Sequence, residues 1–518
     1  MSEAAVPVTL ERPAAPQRVL SVRAAATGLL GLFAFDNLLL LHFWGLPLAL
    51  VAGLTLAAAG GIWALLGKIS GELPGVPIRT FGAALLVSLA LFALGGEGRF
   101  FYANPDWQIR DAVLHDMASN AWPIGYRVDG IVHFLRAPIG MYLLPAMFGA
   151  GAEIAMLVSN ALRLALLLTL AWHLFESRRE RAIGLTLFLL FSGWDVVGTA
   201  LYRSLGAHIS WDHIEHWNFS YQYSSHVTQA FWVPQHALAG WACAVFFLLW
   251  RRGLMPIGAF AASVPLVAIW SPLAIIGAVP FALLAGFDAL RRRAFDLKDV
   301  AVAALAVAIA LPALLYLQLD ASSVGMRILP TRPLVWLLCV GLEVLPFVWP
   351  LLRDRRSAES DQPVILLILA LLLVIPLVQM GVSADFQMRA SIMPLALLSI
   401  YFAQWVCRLL EEEPRRKAAI AYAAVAIALG AVTPLLELRR ALIHPPSPRP
   451  LCSLIGVWYK QDGTIVPYTT YLAPESDLPP QLRHLPTVLG GSDPDQCWDR
   501  KWDLPKDMNS RPEGSGVR

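Results

Sequence analysis

One polar stretch of the chain carries side chains suited to proton transfer and anion binding. Three carboxylates, Asp106, Asp111 and Asp116, alternate there with Arg110 and His115. A carboxylate at a membrane–water boundary can serve as a general base, because partial burial raises its basicity. On a helix Asp106 and Arg110 would be neighbours, as would Asp111 and His115, whereas positions five apart do not meet. The simpler interpretation is a solvated loop whose charges pair with one another.

A second polar stretch, residues 202–229, contains four side chains of metal-binding type: Asp212, His213, Glu215 and His216. Carboxylates and imidazoles are common ligands of divalent metal ions. The two histidines are three positions apart, however, and not four as in the HExxH zinc motif. A divalent metal ion therefore stays an open alternative, and no residue is assigned as a ligand.

The composition of the same stretch is also typical of a protein surface that binds a sugar or another polyol. Aromatic rings stack on the CH faces of sugars, and amides and hydroxyls provide directional hydrogen bonds. The residues predicted to contact substrate are Tyr221, Gln222, His226 and, at the start of the next apolar segment, Gln235. The competing interpretation is that these groups are satisfied between helices.

Two charged residues fall in or beside apolar segments. Arg389 follows Asp385 where one apolar segment has ended and the next begins. An arginine at the membrane boundary is costly and suggests a functional role, here anion binding. The alternative is an Asp385–Arg389 ion pair that closes the loop. Asp36, inside the first apolar segment, is expected to be structural and to pair with an arginine or a neighbouring helix.

The composition places these residues in a membrane protein. The chain has 518 residues, of which 57% are hydrophobic and 15% charged, against about 25% charged in soluble domains. Apolar runs of about 20 residues can span a bilayer as helices. We expect spans near residues 24–43, 46–67, 78–96, 153–175, 182–201, 230–250, 254–270, 272–288, 300–318, 331–352, 362–381, 389–408 and 418–437. Residues 131–150, with Pro138 and Gly140, suit a re-entrant or interfacial segment better.

The arginine clusters predict the orientation, because short cytoplasmic loops are rich in Lys and Arg. With the N-terminal segment 1–23 in the cytoplasm and the first helix retained, the transmembrane domain covers residues 24–438. Outer loop 1 is then residues 97–152, outer loop 2 is residues 202–229, and the extracytoplasmic tail is residues 439–518. The clusters assigned to the cytoplasm are Lys68 and Arg79, Arg178–Arg181, Arg251–Arg252, Arg291–Arg293, Arg353–Arg356 and Arg415–Lys417.

The tail is predicted to be a small module stapled by a disulfide. It contains Cys452 and Cys497, whereas the other three cysteines lie in apolar segments. Two tail cysteines in an oxidising compartment favour a disulfide, with two free thiols as the alternative.

Several enzyme classes lack their signatures. The sequence has no Walker motif, no GxGxxG after a strand and no GxSxG, which argues against an ATPase, a dinucleotide enzyme and an α/β-hydrolase. It also shows no clean internal repeat of the kind found in many transporters.

The first outer loop resembles that of the GT-C superfamily of polyprenyl-phosphate-sugar-dependent glycosyltransferases, which includes protein O-mannosyltransferases and the aminoarabinose transferase. The segments 221–225 and 231–235 also resemble those of uncharacterised bacterial membrane proteins that are predicted to share that fold. Family members often have an Asp-Glu or Asp-Asp pair in the loop, whereas Trp107 follows Asp106 here, so Asp111 or Asp116 would replace the second acid. The matching segments are Asn104–Trp107, His115–Met117, Trp122–Pro123 and Ala137–Gly140.

The resemblance implies an all-α polytopic protein of the bacterial inner membrane, with about 11–14 transmembrane helices, outer-loop helices and the small tail module. It implies inverting transfer of a sugar from a polyprenyl-phosphate donor to an acceptor hydroxyl on a glycan, lipid or protein. Asp106 would be the base, and Arg389 with Arg110 would bind the phosphate. His115 is a further predicted substrate-binding residue. The alternatives are a transporter or flippase of lipid-linked sugars and a non-catalytic subunit for envelope assembly; no nucleic-acid partner is expected.

Overall fold

The computed structural model describes residues 18–67, 73–329, 332–354, 361–381, 384–412, 416–462, 470–491 and 497–500. Most of the predicted cytoplasmic segment 1–23 therefore lies outside the described residues. Four positions of the predicted cytoplasmic clusters do so as well: Lys68, Arg355, Arg356 and Arg415.

The described chain is mostly helical. The helices are α1 (Val22–Phe43), α2 (Leu48–Leu65), α3 (Ile78–Leu94), α4 (Asp106–Ser119), α5 (Gly140–Ala146), α6 (Ala152–Ala171), α7 (Arg178–Leu189), α8 (Asp195–Ser204), α9 (His226–Trp232), α10 (Pro234–Arg251), α11 (Ile257–Leu266), α12 (Pro272–Arg292), α13 (Leu297–Gln318), α14 (Pro333–Glu343), α15 (Leu345–Arg353), α16 (Gln362–Val374), α17 (Asp385–Ala390), α18 (Ile392–Glu411), α19 (Lys417–Gly430), α20 (Val432–Ile443) and α21 (Leu454–Asp462).

Seven helical segments of the described chain are long and apolar enough to cross a membrane, or eight if the bent pair α14–α15 forms one span. This is fewer than the expected 11–14, and α3, α11 and α16 with its short extension are apolar but shorter. Helix α18 is central, because 94% of its apolar window is buried, whereas only 17% of the α2 window is buried. The exposed apolar surface of α2 is what contact with lipid would require.

The prediction of one span over residues 182–201 is wrong, because α7 ends at Leu189 and α8 begins at Asp195. Helices α14 and α15 likewise meet at an angle of 62°. Pro346 cannot donate a backbone hydrogen bond to the Leu342 carbonyl, which leaves that carbonyl free. Trp194 N–H donates to it instead, at 3.1 Å. The break between α7 and α8 therefore supplies the hydrogen-bond donor that the Leu342 carbonyl lacks at the α14–α15 bend.

A four-stranded sheet covers the outer end of the bundle, by which we mean the end that carries residues 97–152. Its strands are β3 (Ile124–Val128) and β4 (Ile131–Leu135) from outer loop 1, and β7 (Leu472–Pro474) and β8 (Thr487–Leu489) from the tail, in the order β7-β4-β3-β8. Asp129 and Gly130 form the two-residue turn with φ of 48° and 80°, as a type I′ hairpin requires. The sheet adds strands to the expected all-α fold and builds the tail into outer loop 1.

Four further short strands of the described chain pair outside this sheet, with β1 (Val19–Leu20) against β2 (Val76–Pro77) and β5 (Met326–Ile328) against β6 (Val378–Met380). The segment 131–150 forms β4 and the seven-residue helix α5. A helix of that length is far shorter than the roughly 20 residues a span requires. The prediction that this segment does not cross the membrane is therefore consistent with the structure.

Asp36 has the structural role expected for it. Its carboxylate forms an ion pair with Arg163 at 2.5 Å and accepts a hydrogen bond from Trp270 Nε1 at 2.8 Å. All three side chains are fully buried. A buried carboxylate of this kind needs such partners, because an unpaired charge in the interior is very costly.

Candidate anion-binding site at the outer end

Helix α4 is fixed to the bundle at its first turn. Asn104 Oδ1 accepts the Asp106 N–H at 3.1 Å. Asn104 Nδ2 and Trp107 Nε1 both donate to the Phe231 carbonyl, at 2.9 and 2.7 Å. That carbonyl lies in the last turn of α9, just before α10 begins at Pro234. These contacts hold Asp106 at the start of a helix that packs on the outer end of the bundle.

Asp106 and Arg110 form the i,i+4 pair that their spacing predicts. Arg110 Nη1 lies 3.5 Å from Asp106 Oδ2, and the exposed fractions of the two side chains are 9% and 45%. Arg110 Nε is buried and has no hydrogen-bond partner among the described residues. Asp106 thus borders solvent, while the guanidinium beside it points into the protein with unused donor capacity.

Helix α10 presents two buried polar side chains in its first turn. His236 Nδ1 hydrogen bonds with Ser271 Oγ at 2.8 Å, and its other ring nitrogen lies 3.3 Å from Gln235 Nε2. Gln235 Oε1 is buried and lacks a partner in the described chain. His236 is also within electrostatic reach of both Arg110 and Arg389. The histidine therefore connects the α4 side of this region to α17.

Arg389 forms the predicted ion pair with Asp385, at 2.7 Å. Asp385 also accepts a hydrogen bond from the Tyr471 hydroxyl of the tail. Arg389 Nε and the neighbouring Gln387 Nε2 are buried without a partner in the part of the chain that the structure describes. The carboxylate holds the guanidinium in place through one terminal nitrogen and leaves its Nε free.

Five buried or nearly buried polar residues of α4, α10 and α17 thus form what we call the outer polar cluster: Arg110, Gln235, His236, Gln387 and Arg389. Buried polar groups are normally hydrogen-bonded, and Arg110 Nε, Gln235 Oε1, Gln387 Nε2 and Arg389 Nε have no partner among the described residues. Two guanidinium groups and an amide N–H are donors that suit an anion with several oxygens. Chemically, the cluster can bind a phosphate next to an accessible carboxylate.

The other two predicted catalytic acids have structural contacts. Asp111 forms an ion pair with Arg99 at 2.8 Å; burial raises its pKa to about 7, although the positive charge of Arg99 opposes the rise. Asp116 Oδ2 accepts hydrogen bonds from Leu454 N–H at 2.9 Å and from the Tyr126 hydroxyl at 3.1 Å. Asp116 therefore fastens the tail to α4, and its catalytic role stays a prediction.

The tail is fastened near Asp111 and Asp116 by further bonds. Cys452 and Cys497 form a disulfide, as the sequence predicted, with Cα atoms 4.7 Å apart. Arg99 Nη1 donates to the Pro448 carbonyl at 2.8 Å. His115, predicted to bind substrate, lies on an exposed part of α4, and burial of its inner half together with nearby Arg449 lowers its pKa.

Three of the four residues predicted to contact a sugar, Tyr221, Gln222 and His226, do not join the outer polar cluster, whereas the fourth, Gln235, belongs to it. Tyr221 and Gln222 contact their own loop and Glu215: Tyr221 N–H donates to Asn218, and Gln222 Nε2 lies 3.3 Å from Glu215 Oε2. His226 Nδ1 hydrogen bonds with the Phe188 carbonyl at 2.5 Å. Within the described ranges no hydrogen bond or ion pair links these residues to the cluster. Tyr221 and Gln222 are hydrogen-bonded within the protein, the alternative noted from the sequence, whereas His226 Nε2 is buried without a partner among the described residues.

Three of the four side chains considered as metal ligands, Asp212, His213 and Glu215, have partners elsewhere. Asp212 pairs with Arg439 at 3.3 Å, and His213 contacts Glu437 at 3.0 Å. Burial lowers the pKa of His216. Among the described residues, no group of three or more His, Cys, Asp or Glu side chains is arranged to hold a metal ion.

A cavity of about 490 Å³ lies at the opposite end of α3 from the outer loop. Its lining includes Arg79, Arg178, Arg181 and His173, all in or beside connections assigned to the cytoplasm. The outer polar cluster itself is packed rather than open, so a ligand would have to enter by displacing side chains or the tail that covers it.

Two buried acids were missed in the sequence. Asp195 and Glu343 lie inside the expected spans 182–201 and 331–352 and are 0% and 2% exposed. The reasoning applied to Asp36, that an acid inside an apolar segment needs a partner and suggests a function, would have found both.

No family model matches the chain, and comparison with curated proteins and with solved structures gives no match. The functional interpretation therefore depends on the chemistry of the site.

Proposed function

We propose that the chain is a membrane glycosyltransferase of the GT-C type that transfers a sugar from a polyprenyl-phosphate donor at the outer end of the bundle. The observation that supports this most is the outer polar cluster, in which Arg110 and Arg389 keep unused buried N–H groups near a half-exposed carboxylate, Asp106. Apolar helices around the cluster suit a donor with a long hydrocarbon chain.

In this proposal the two arginines bind the donor phosphate. Arg389 is held by Asp385 and offers Nε, and Arg110 offers its own Nε; both guanidinium groups are within electrostatic reach of His236. As the bond between the anomeric carbon and the phosphate oxygen breaks, negative charge grows on that oxygen. Donors fixed in advance stabilise such charge without reorganisation.

Asp106 is the proposed base. A phosphate that takes the N–H groups of Arg110 would weaken the 3.5 Å ion pair and release the Asp106 carboxylate. The carboxylate then accepts the proton of the acceptor hydroxyl while the hydroxyl oxygen attacks the anomeric carbon. Polyprenyl phosphate leaves with the bonding electrons, and a single displacement inverts the anomeric configuration.

Donor binding can be measured separately from transfer. Purified protein in nanodiscs is titrated with polyprenyl phosphate and, as a matched neutral lipid, with polyprenol. Replacing Arg389 with Gln removes charge-assisted hydrogen bonds of about 1.5–3 kcal/mol, so affinity for the phosphate should fall about tenfold to a hundredfold while polyprenol binding is unchanged. Arg327→Gln, on the exposed strand β5, is the control. Equal affinities of wild type and Arg389→Gln would exclude this site.

A second candidate, a transporter of lipid-linked sugars, is favoured by one observation. The interrupted pairs α7–α8 and α14–α15 bond to each other at their breaks, and discontinuous helices form the substrate sites of many transporters. Release of polyprenyl phosphate from a polyprenyl-phosphate sugar distinguishes the two, because a transporter breaks no bond. Movement of the intact lipid between leaflets without release would support the transporter.

A further inference from the structure

A second polar site lies within the helices, where three interruptions meet. Trp194, between α7 and α8, donates its backbone N–H to the Leu342 carbonyl just before the α14–α15 bend. Gly430 ends α19, and a Cβ atom there would lie only 2.7 Å from the Ser192 carbonyl oxygen. The segment 190–194 is therefore wedged between the bend and the junction of α19 with α20.

Two carboxyl groups occupy this junction. Asp195 Oδ2 accepts hydrogen bonds from the hydroxyls of Ser192 at 2.9 Å and Thr433 at 2.7 Å. Glu343 Oε1 accepts a hydrogen bond from Trp217 Nε1 at 2.8 Å. Each carboxyl group thus has one oxygen satisfied by neutral donors, and no arginine or lysine of the described chain forms an ion pair with either.

The remaining oxygens imply a proton. Asp195 Oδ1 and Glu343 Oε2 have no donor among the described residues. The two acids directly follow Trp194 and Leu342, which a backbone hydrogen bond of 3.1 Å joins, and their carboxyl groups interact with each other. Ionised carboxylates are acceptors only, so a hydrogen bond between them requires that one keeps its proton. Two adjacent negative charges without a cation would also repel strongly in a buried site.

Further titratable groups connect this junction to the outer loops. Glu215, which accepts the Ser225 N–H at 2.8 Å, is within electrostatic reach of Asp195 and Glu343. Burial raises the pKa of Glu215 to about 7. His213 lies 3.0 Å from Glu437, and its side chain is 19% exposed. The other titratable or charged groups that face this region are Tyr223, Cys339 and Arg440.

We propose that Asp195 and Glu343 form a proton-binding site within the membrane domain, which exchanges its proton with the outer end through Glu215 and the His213–Glu437 pair. The proton sits between the two carboxyl groups and leaves them with one negative charge. Its release puts two charges side by side and weakens the packing of the three interrupted helices. This inference does not depend on the proposed transferase activity.

The test is infrared difference spectroscopy of the full chain in lipid. The carbonyl stretch of a protonated carboxylic acid should persist at about pH 8, above the pKa values of about 7 of Asp111, Asp116 and Glu215, and should shift on transfer to D₂O. Asp195→Asn and Glu343→Gln, which keep shape and hydrogen bonding, should each remove the same band. Asp288→Asn is the control, because Arg251 keeps its second partner Asp361 at 2.9 Å.

Exchange with the outer end is tested by timing the band after a jump to alkaline pH. Glu215→Gln should slow the loss of the band at least tenfold without removing it. Absence of the band in the folded wild type, or its survival in both Asp195→Asn and Glu343→Gln, would overturn the proton-binding site. An unchanged rate in Glu215→Gln would overturn the proposed route. Absence of the band in the wild type decides against the proton-binding site even if a variant does not fold, whereas its assignment rests on the two variants, because burial also raises the pKa of Glu97.

Discussion

Asp116 gives a prediction whose sign and size follow from its contacts. Burial raises its pKa from 3.8 to about 7, and the hydrogen bonds from Leu454 N–H and Tyr126 oppose the rise. The folded protein therefore holds a proton that the unfolded chain has already lost between these two pH values. Stability falls as the pH rises through this window, because the folded state binds more protons there. Its contribution is most favourable below about pH 4 and levels off above about pH 7.

The magnitude can be estimated from the same values. Each pH unit inside the window costs about 1.36 kcal/mol, so the tail should lose about 3 kcal/mol of docking stability between about pH 5 and pH 8 from Asp116 alone. Asp116→Asn keeps an acceptor oxygen for Leu454 and Tyr126 but cannot ionise. Its stability should exceed that of the wild type by about 3 kcal/mol more at pH 8 than at pH 5.

Hydrogen exchange of the backbone amides in β7, β8 and the first turn of α21 measures this stability, after correction for the intrinsic rate at each pH. Asp129→Asn is the control, because Asn tolerates the positive φ of the hairpin turn and that side chain is exposed. A difference between Asp116→Asn and the wild type that stays constant from pH 5 to pH 8 would refute the assignment of a proton to Asp116.

Three further changes test other contacts. Cys452→Ala opens a disulfide between cysteines 45 positions apart and should cost the tail about 3–4 kcal/mol, measured by the same exchange experiment; full protection would contradict this. Asp36→Asn leaves Arg163 as a buried unpaired charge and should cost about 3–5 kcal/mol, seen as a lower unfolding temperature in detergent, whereas an unchanged temperature would show that the pair is dispensable. Gly193→Ala places a methyl group on Glu343 Oε2 and should destabilise the folded protein by about 1–3 kcal/mol, while Gly53→Ala, with open space around it, should not.

Hydropathy located most apolar helices but not their interruptions. A window of 20 residues measures composition, and a short break such as residues 190–194 hardly changes its mean. The bend between α14 and α15 could have been predicted, because Pro346 prevents the helix from continuing in register. The partner of the freed Leu342 carbonyl could not, since Trp194 is distant in sequence and is brought there by tertiary packing.

The local ion pairs of the candidate site could be predicted from the sequence, whereas its long-range contacts could not. The Asp106–Arg110 and Asp385–Arg389 pairs follow from helical spacing alone. The pairing of β4 with β7 brings together residues more than 300 positions apart, and no local pattern in either strand specifies that partner. The tail's Tyr471 reaches Asp385 only because of this sheet. Sequence reasoning therefore found the charged residues but not the strand pairing that joins the tail to outer loop 1.

The most direct test of the central claim is the position of the phosphate in a cryo-EM structure of the full chain with polyprenyl phosphate in nanodiscs. If the two arginines bind the donor phosphate, we expect phosphate density in contact with the guanidinium groups of Arg110 and Arg389, with Asp106 facing the open side of the phosphate. Density only in the cavity lined by Arg79, Arg178 and Arg181 at the other end of α3, or none at either place at saturating lipid, would contradict it.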